Sequence, residues 1–208
     1  MKREATPTRE QFAAYEKMFS YFNTKLFRGE LPGCLLNFSR RTKTYGFFAP
    51  SRWERGRDVR HEISLNPATL KNRRPAEVAG TLVHEMVHLW QQEHGKPSRV
   101  GYHNAEWAEK MEAVGLVPST TAAPGGAKVG QKVSHYIAKG GPFDVAFRAM
   151  PKEYALPWAC EEPEAMRVKK LAKNKVKYTC PGCGTNVWGK PELAISCDAC
   201  AEPFEVAS

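Results

Sequence analysis

No stretch of the sequence approaches the roughly 18 consecutive apolar residues that a membrane-spanning helix requires. Its first ten residues, MKREATPTRE, are charged and lack the apolar centre of a secretory leader. A soluble chain that stays in the cytoplasm is therefore expected, and a general secreted protease is disfavoured. Cysteine is sparse, with six residues in 208. In a reducing compartment those thiols read first as metal ligands or core groups and only second as disulfides. No internal repeat is visible, which argues against a solenoid. Acidic residues are missing altogether between Ala165 and Tyr178, where Arg167, Lys169, Lys170, Lys173, Lys175 and Lys177 stand unopposed.

What is present is enough apolar material, 42% of residues, for one real core and a small accessory module. The formal net charge is +9, and it is unevenly spread. Besides the 165–178 segment, residues 40–60 carry Arg40, Arg41, Lys43, Arg52, Arg55, Arg57 and Arg60 against Glu54 and Asp58. Concentrated charge of this kind suggests a polyanionic partner without specifying a fold.

Phe12, Tyr15, Phe19, Phe22 and Leu26 recur at helical steps, with Thr8 and Gln11 as a capping pair and Gly29 beyond, predicting a helix over 9–28. Leu35–Arg40, Thr44–Ala49 and His61–Leu65 read as short strands, and Asn66-Pro67 opens a brief helical turn. From Ala76, the spacing of Val78, Leu82, Met86, Leu89 and Trp90 predicts a second helix, stopped near Glu93 by Gly95 and Pro97. A third is expected from His103 through Trp107 and Met111 to Gly115. Beyond Pro118 the composition is that of a linker, and residues 133–175 show no clear period.

The second helix carries the chemistry. His84 and His88 stand at i and i+4, about 40° apart around the axis and roughly 6 Å along it, so both imidazoles can grip one ion. Glu85 lies between them in an H-E-x-x-H pattern. Zinc held by three protein ligands keeps a position for water, lowers its pKa toward ~7 and polarises a carbonyl, while a carboxylate such as Glu85 takes the proton. The plainer reading is an amphipathic core helix that happens to contain two histidines. The apolar neighbours Leu82, Val83, Met86 and Leu89 favour a buried, functional site.

Three residues compete as third ligand. His94 has the metzincin spacing, but Gln91 stands where that motif needs a helix-breaking glycine, so His94 should point away. Glu106 would suit a gluzincin-like site. His103 follows the break at Gly95, Pro97 and Gly101 and is favoured on ligand preference.

Near the C-terminus, Cys180-Pro-Gly-Cys183 and Cys197-Asp-Ala-Cys200 form two knuckles thirteen residues apart. Four thiolates make a closed tetrahedral site, so a structural zinc is expected, with two disulfides as the alternative. Cys34 and Cys160 have no matching partners and read as buried thiols.

The arrangement H84-E-M-V-H88 followed by Y-H103-N-A-E-W107-A-E-K-M111 resembles the SprT-like domain of bacterial SprT and of the DNA-repair protease Spartan. The resemblance extends upstream through F22-N23-x-x-x-F27-x-G29-x-L31-P32, the strand around Gly46, and I63-S-L-N-P67. Family members commonly have His-Gly where this chain has His103-Asn104. The resemblance implies an α+β minimal zincin-like protease domain over 8–118, a linker or accessory segment over 119–174 and a small four-cysteine zinc ribbon over 175–208. It further implies a small antiparallel sheet, zinc on His84, His88 and His103, Glu85 as general base, and His61–Leu65 as the edge strand that pairs with substrate. Two zinc ions per chain follow, one catalytic and one structural. Tyr102, His135 and Tyr136 are available as oxyanion partners or as packing residues.

The expected partners are protein or peptide substrates, with single-stranded DNA on Arg167, Lys169, Lys170, Lys173, Lys175 and Lys177, in a monomeric, cytoplasmic or nucleoid-associated protein. Tyr45, Phe47, Phe48 and Trp53, interleaved with the 40–60 charges, are expected in the core rather than in base stacking. The competing function is a non-catalytic nucleic-acid-binding adaptor that keeps the fold. Retention of Glu85 argues against it, since a structural zinc has no use for a carboxylate there.

Overall fold

The computed structural model describes residues 6–160 and 175–206. The chain divides into two compact units, Met1–Glu161 and Glu162–Ser208, and the fold is a mixture of helices and small sheets. Helix α1, Pro7–Phe27, begins two residues earlier than its sequence pattern suggests. Proline at the first helical position has no N–H to satisfy and a φ already suited to the helix, so Thr6, not Thr8, takes the capping position. Gln11 is used elsewhere: its side chain exchanges hydrogen bonds with the backbone N–H and carbonyl of Trp158. Tyr15, Phe19 and Phe22 of α1 are buried together with Met18.

Strands β1 (Leu35–Phe38), β2 (Gly46–Arg55) and β3 (Asp58–Leu65) form one sheet in the order β1-β3-β2. Two expectations change here. The sheet is mixed, because β1 runs parallel to β3 while β2 is antiparallel to it. And β3 is the central strand, so His61–Leu65 cannot be the free edge: both of its sides are hydrogen-bonded, to Leu35–Phe38 on one side and to β2 on the other. The physical reason is the hairpin. The two-residue turn at Gly56-Arg57 places β2 directly beside β3, so β2 takes the outer position. The hairpin is also longer than its apolar pattern, running through Pro50 with a register shift between Ala49 and Trp53. Pro50 is tolerated because β2 is an edge strand.

Helix α2, Pro75–His94, lies against this sheet, with Leu82, Val83, Met86, Val87 and Leu89 buried. Each such side chain contributes about 1.5–3 kcal/mol of burial. Helix α3, Ala105–Ala113, follows, and its cap Asn104 accepts a hydrogen bond from the Trp107 N–H at 3.0 Å. Asparagine at 104 is thus accounted for by capping. After α3, β4 (Leu116–Ser119) pairs antiparallel with β5 (Ser134–Ile137), and β5 and then α4 (Pro142–Ala149) form within the stretch that shows no sequence period; Phe143 of α4 stacks on Phe22 in the core.

In the second unit, β6 (Val176–Thr179) pairs with β7 (Asn186–Gly189) and with β10 (Glu205–Val206), while β8 (Ser196–Cys197) pairs with β9 (Glu202–Pro203). Its main buried side chain besides cysteine is Tyr178, whose hydroxyl donates to the Lys190 carbonyl and accepts from the Leu193 N–H.

Candidate metal centres and the cleft

The imidazoles of His84, His88 and His103 converge: one nitrogen from each lies within 4.8 Å of the others. Helix α2 supplies the first two at i and i+4. His103 arrives not from α3 but from the residue just before its cap, in an isolated bridge to Gly130, and its Nδ1 faces the Gly130 carbonyl at 3.1 Å. A carbonyl can only accept, so His103 Nδ1 carries the hydrogen and Nε2 keeps the lone pair for an ion. At His84, Nδ1 faces Nδ1 of His135 at 3.2 Å.

The other two ligand candidates are engaged elsewhere. His94 is exposed at the end of α2, with Nε2 3.4 Å from the Glu30 carbonyl. Glu106 accepts from Gln91 Nε2 at 2.7 Å and from the Lys96 N–H at 2.8 Å, clamping the turn that follows α2.

Trp107 forms the wall behind the histidines. It is fully buried, with its ring centroid 4.9, 5.2 and 4.2 Å from those of His84, His88 and His103. Burial pushes the His88 imidazole down to about 3, aided by neighbouring His103. It lowers His84 and His103 as well, with His103 pulled back by its bond to Gly130. The three rings are therefore neutral at pH 7, the form that ligates a metal.

Glu85 is buried beside them. Desolvation raises its carboxyl to about 8, opposed by a hydrogen bond from the Phe48 backbone N–H. A divalent cation alongside would draw it back toward the ionised form. Phe48 belongs to β2, so the edge strand of the sheet reaches the site directly. Its ring lies nearly parallel to that of His88, 6.5 Å away.

These residues open into a cleft of ≈ 1440 Å³, above the usual range of about 300–1,000 Å³ for small-molecule pockets. Arg41, Lys43, Arg99 and Lys132 lie on its lining. Sequence reasoning assigned no role to Gly130 or Trp107 as partners of the ligands; only the fold brings them there.

The four cysteines also come together, their sulfurs all within 4.8 Å. Cys183 Sγ and Cys197 Sγ are 3.8 Å apart, close to the ~3.8 Å edge of a tetrahedron with Zn–S near 2.3 Å. No disulfide joins them. The Thr185 hydroxyl and backbone hold the Cys183 thiol down to about 6. Cys34 and Cys160 are half-buried rather than buried. Burial raises Cys34 to about 12, and the Cys160 thiol donates to the Pro67 carbonyl.

All seven basic residues of the 40–60 region are exposed. The aromatic expectation is corrected: Tyr45 and Trp53 are exposed, and Phe47 and Phe48 only half-buried. They sit on or beside β2, the edge strand of the sheet. Arg167, Lys169, Lys170 and Lys173 lie outside the described residues; Lys175 and Lys177 are exposed. Trp188, directly across from Lys177 on β7, is 62% exposed.

A helix carrying two histidines and a buried glutamate, a third histidine after the chain reverses, and a small sheet whose edge reaches the glutamate make up a zincin-type domain with a candidate metal centre. The chain belongs to the SprT-like family, whose sequence pattern matches residues 15–126. It is also similar to the "Uncharacterized protein in mucB 3'region" of Salmonella typhimurium, 38% identical over 47 residues. That match covers 23% of this chain and 64% of the relative's length. The family match ends before Gly130 and His135.

Proposed function

We propose that this chain is a zinc-dependent metalloendopeptidase acting on DNA-associated or DNA-crosslinked proteins. The observation that carries the reading is the convergence of three imidazoles beside one buried carboxylate. A bound zinc would acidify water and polarise the scissile carbonyl. His84, His88 and His103 would hold it, leaving one position open, while the four cysteines would close a second, structural site. Glu85 would take the proton of the attacking water and pass it to the leaving amine. An extended substrate would lie along β2, the edge strand beside the cleft, and the cleft is large enough for a polypeptide rather than a metabolite.

The nucleic-acid side of the proposal draws on charge and stacking. Arg41 and Lys43 border the cleft, and Trp188 with Lys175 and Lys177 combines an exposed ring with cations, the elements of sequence-tolerant single-strand binding. The protein would act as a monomer in the cytoplasm, near the nucleoid. No helix among the described residues is long and apolar enough to cross a membrane.

The second reading is a nucleic-acid-binding adaptor without catalysis. Burying a carboxylate costs stability, a cost for which a non-catalytic adaptor has no use, so Glu85 favours the enzyme. The test is Glu85→Gln, which should abolish cleavage while two zinc ions per chain remain bound. Wild-type protein that leaves denatured and DNA-bound substrates intact, with and without single-stranded DNA, would establish the adaptor instead.

A further inference from the structure

A fourth histidine lines the cleft without belonging to the ligand trio. His135 enters from β5, opposite Pro118 of β4. Its Nδ1 stands 3.2 Å from Nδ1 of His84, with the ring centroids 5.3 Å apart and the planes tilted by 40°. Two nitrogens at that separation share one hydrogen, so one donates and the other accepts. His84 can ligate only through a nitrogen that bears no hydrogen. Since its Nδ1 faces His135, the consistent arrangement has His84 Nδ1–H donating to His135 Nδ1, with His84 Nε2 free for the ion.

The seat for His135 is shaped by the helix itself. Gly80 lies four residues before His84, on the same face of α2. A Cβ at Gly80 would stand only 3.0 Å from His135 Nε2. Glycine therefore lets the imidazole rest against the helix one turn before the ligand that it contacts. One nitrogen of the ring is thus given to His84, and the other lies against Gly80.

We infer that His135 is a positioning residue: it holds His84 in the tautomer and rotation that present Nε2 to the metal. It does for His84 what the Gly130 carbonyl does for His103. The inference rests on the zinc-centre reading above and extends it to a residue beyond the family match. Outer partners of ligating histidines are commonly worth 10–100-fold in metal affinity.

The experiment is zinc affinity by chelator competition on the full chain, together with melting of the metal-stripped protein. His135→Phe, which keeps the ring shape but no nitrogen, should weaken one of two zinc ions by about 10–100-fold. His135→Asn, which places an acceptor near the former Nδ1, should restore most of the loss. Gly80→Ala adds a helix-favouring residue but displaces His135, so it should weaken the same zinc without lowering the metal-free melting temperature. A purely structural role would make affinity and melting fall together. If His135→Phe fails to fold, the Asn and Gly80→Ala variants decide on the same two readouts. A second zinc held within twofold by wild type and all folded variants would overturn this inference alone. Wild-type protein that holds no second zinc would overturn it and the hydrolase reading together.

Discussion

His103 and Gly130 are joined three times. The two residues exchange both backbone hydrogen bonds, at 2.8 and 3.0 Å, and the Gly130 carbonyl also faces His103 Nδ1. The third ligand of the histidine trio is thus oriented by a residue 27 positions further along the chain. Gly130 has φ of +134°, a region that side-chain-bearing residues enter only with strain.

A β-branched residue at this point should disturb the site through its support. Gly130→Val is expected to cost about 1–3 kcal/mol in stability and to weaken the histidine-bound zinc. Thermal melts and chelator competition check both. Unchanged zinc affinity in a folded Gly130→Val protein would show that His103 is oriented by something else.

Glu106 clamps the turn between α2 and α3. The Lys96 N–H, then Gln91, hold its carboxyl below the ordinary carboxylate range. Because the folded-state pKa is depressed, its contribution is fully present above the ordinary value of about 4.3 and is lost as pH falls through the lower folded value. Glu106→Gln should therefore destabilise the protein near neutrality and lose less than wild type on acidification, with zinc content unchanged. Urea unfolding from about pH 6 down to pH 3 measures the difference; a drop in zinc content would instead return Glu106 to the ligand set.

The ribbon should depend on its metal far more than the first unit does. Among its described residues it buries little besides Tyr178 and two cysteines, so zinc, worth about 10–16 kcal/mol in small Cys/His modules, must supply most of its folding energy. Cys197→Ser is expected to reduce zinc by one ion per chain and to unfold residues 175–206, while Met1–Glu161 melts as before. Amide exchange resolved by segment reads this directly, and continued protection of Tyr178 in the variant would count against it.

Trp188 and Lys177 face each other across β6 and β7 with both side chains exposed. If single-stranded DNA stacks there, Trp188→Ala should cost about 1–3 kcal/mol of binding. Lys177→Ala should reduce the salt slope by about 0.7, the value per phosphate contact on single strands. Fluorescence anisotropy across a salt series tests both. Equal affinity in the two variants would locate any DNA contact elsewhere.

Much of this was written in short-range spacing. His84 and His88 share a helix face because 3.6 residues complete a turn, and Cys180 and Cys183 approach because two intervening residues suffice for a knuckle. The aromatic period of α1 and the apolar period of α2 found their helices for the same reason. Boundaries were less legible: Pro7 starts α1 earlier than Thr8 suggests, and the hairpin runs through Pro50, where the apolar alternation stops.

The sequence by itself determined the two helix-borne donors, the glutamate between them and each cysteine pair, since each depends on residues at most a few positions apart. Only the tertiary structure decided which histidine completes the trio, why β2 and not β3 is the outer strand, and how His135 comes to rest on Gly80 beside His84. Those outcomes depend on pairings between distant segments, β1 with β3, His103 with Gly130 and β5 with α2, and a local period carries no record of a partner that lies tens of residues away.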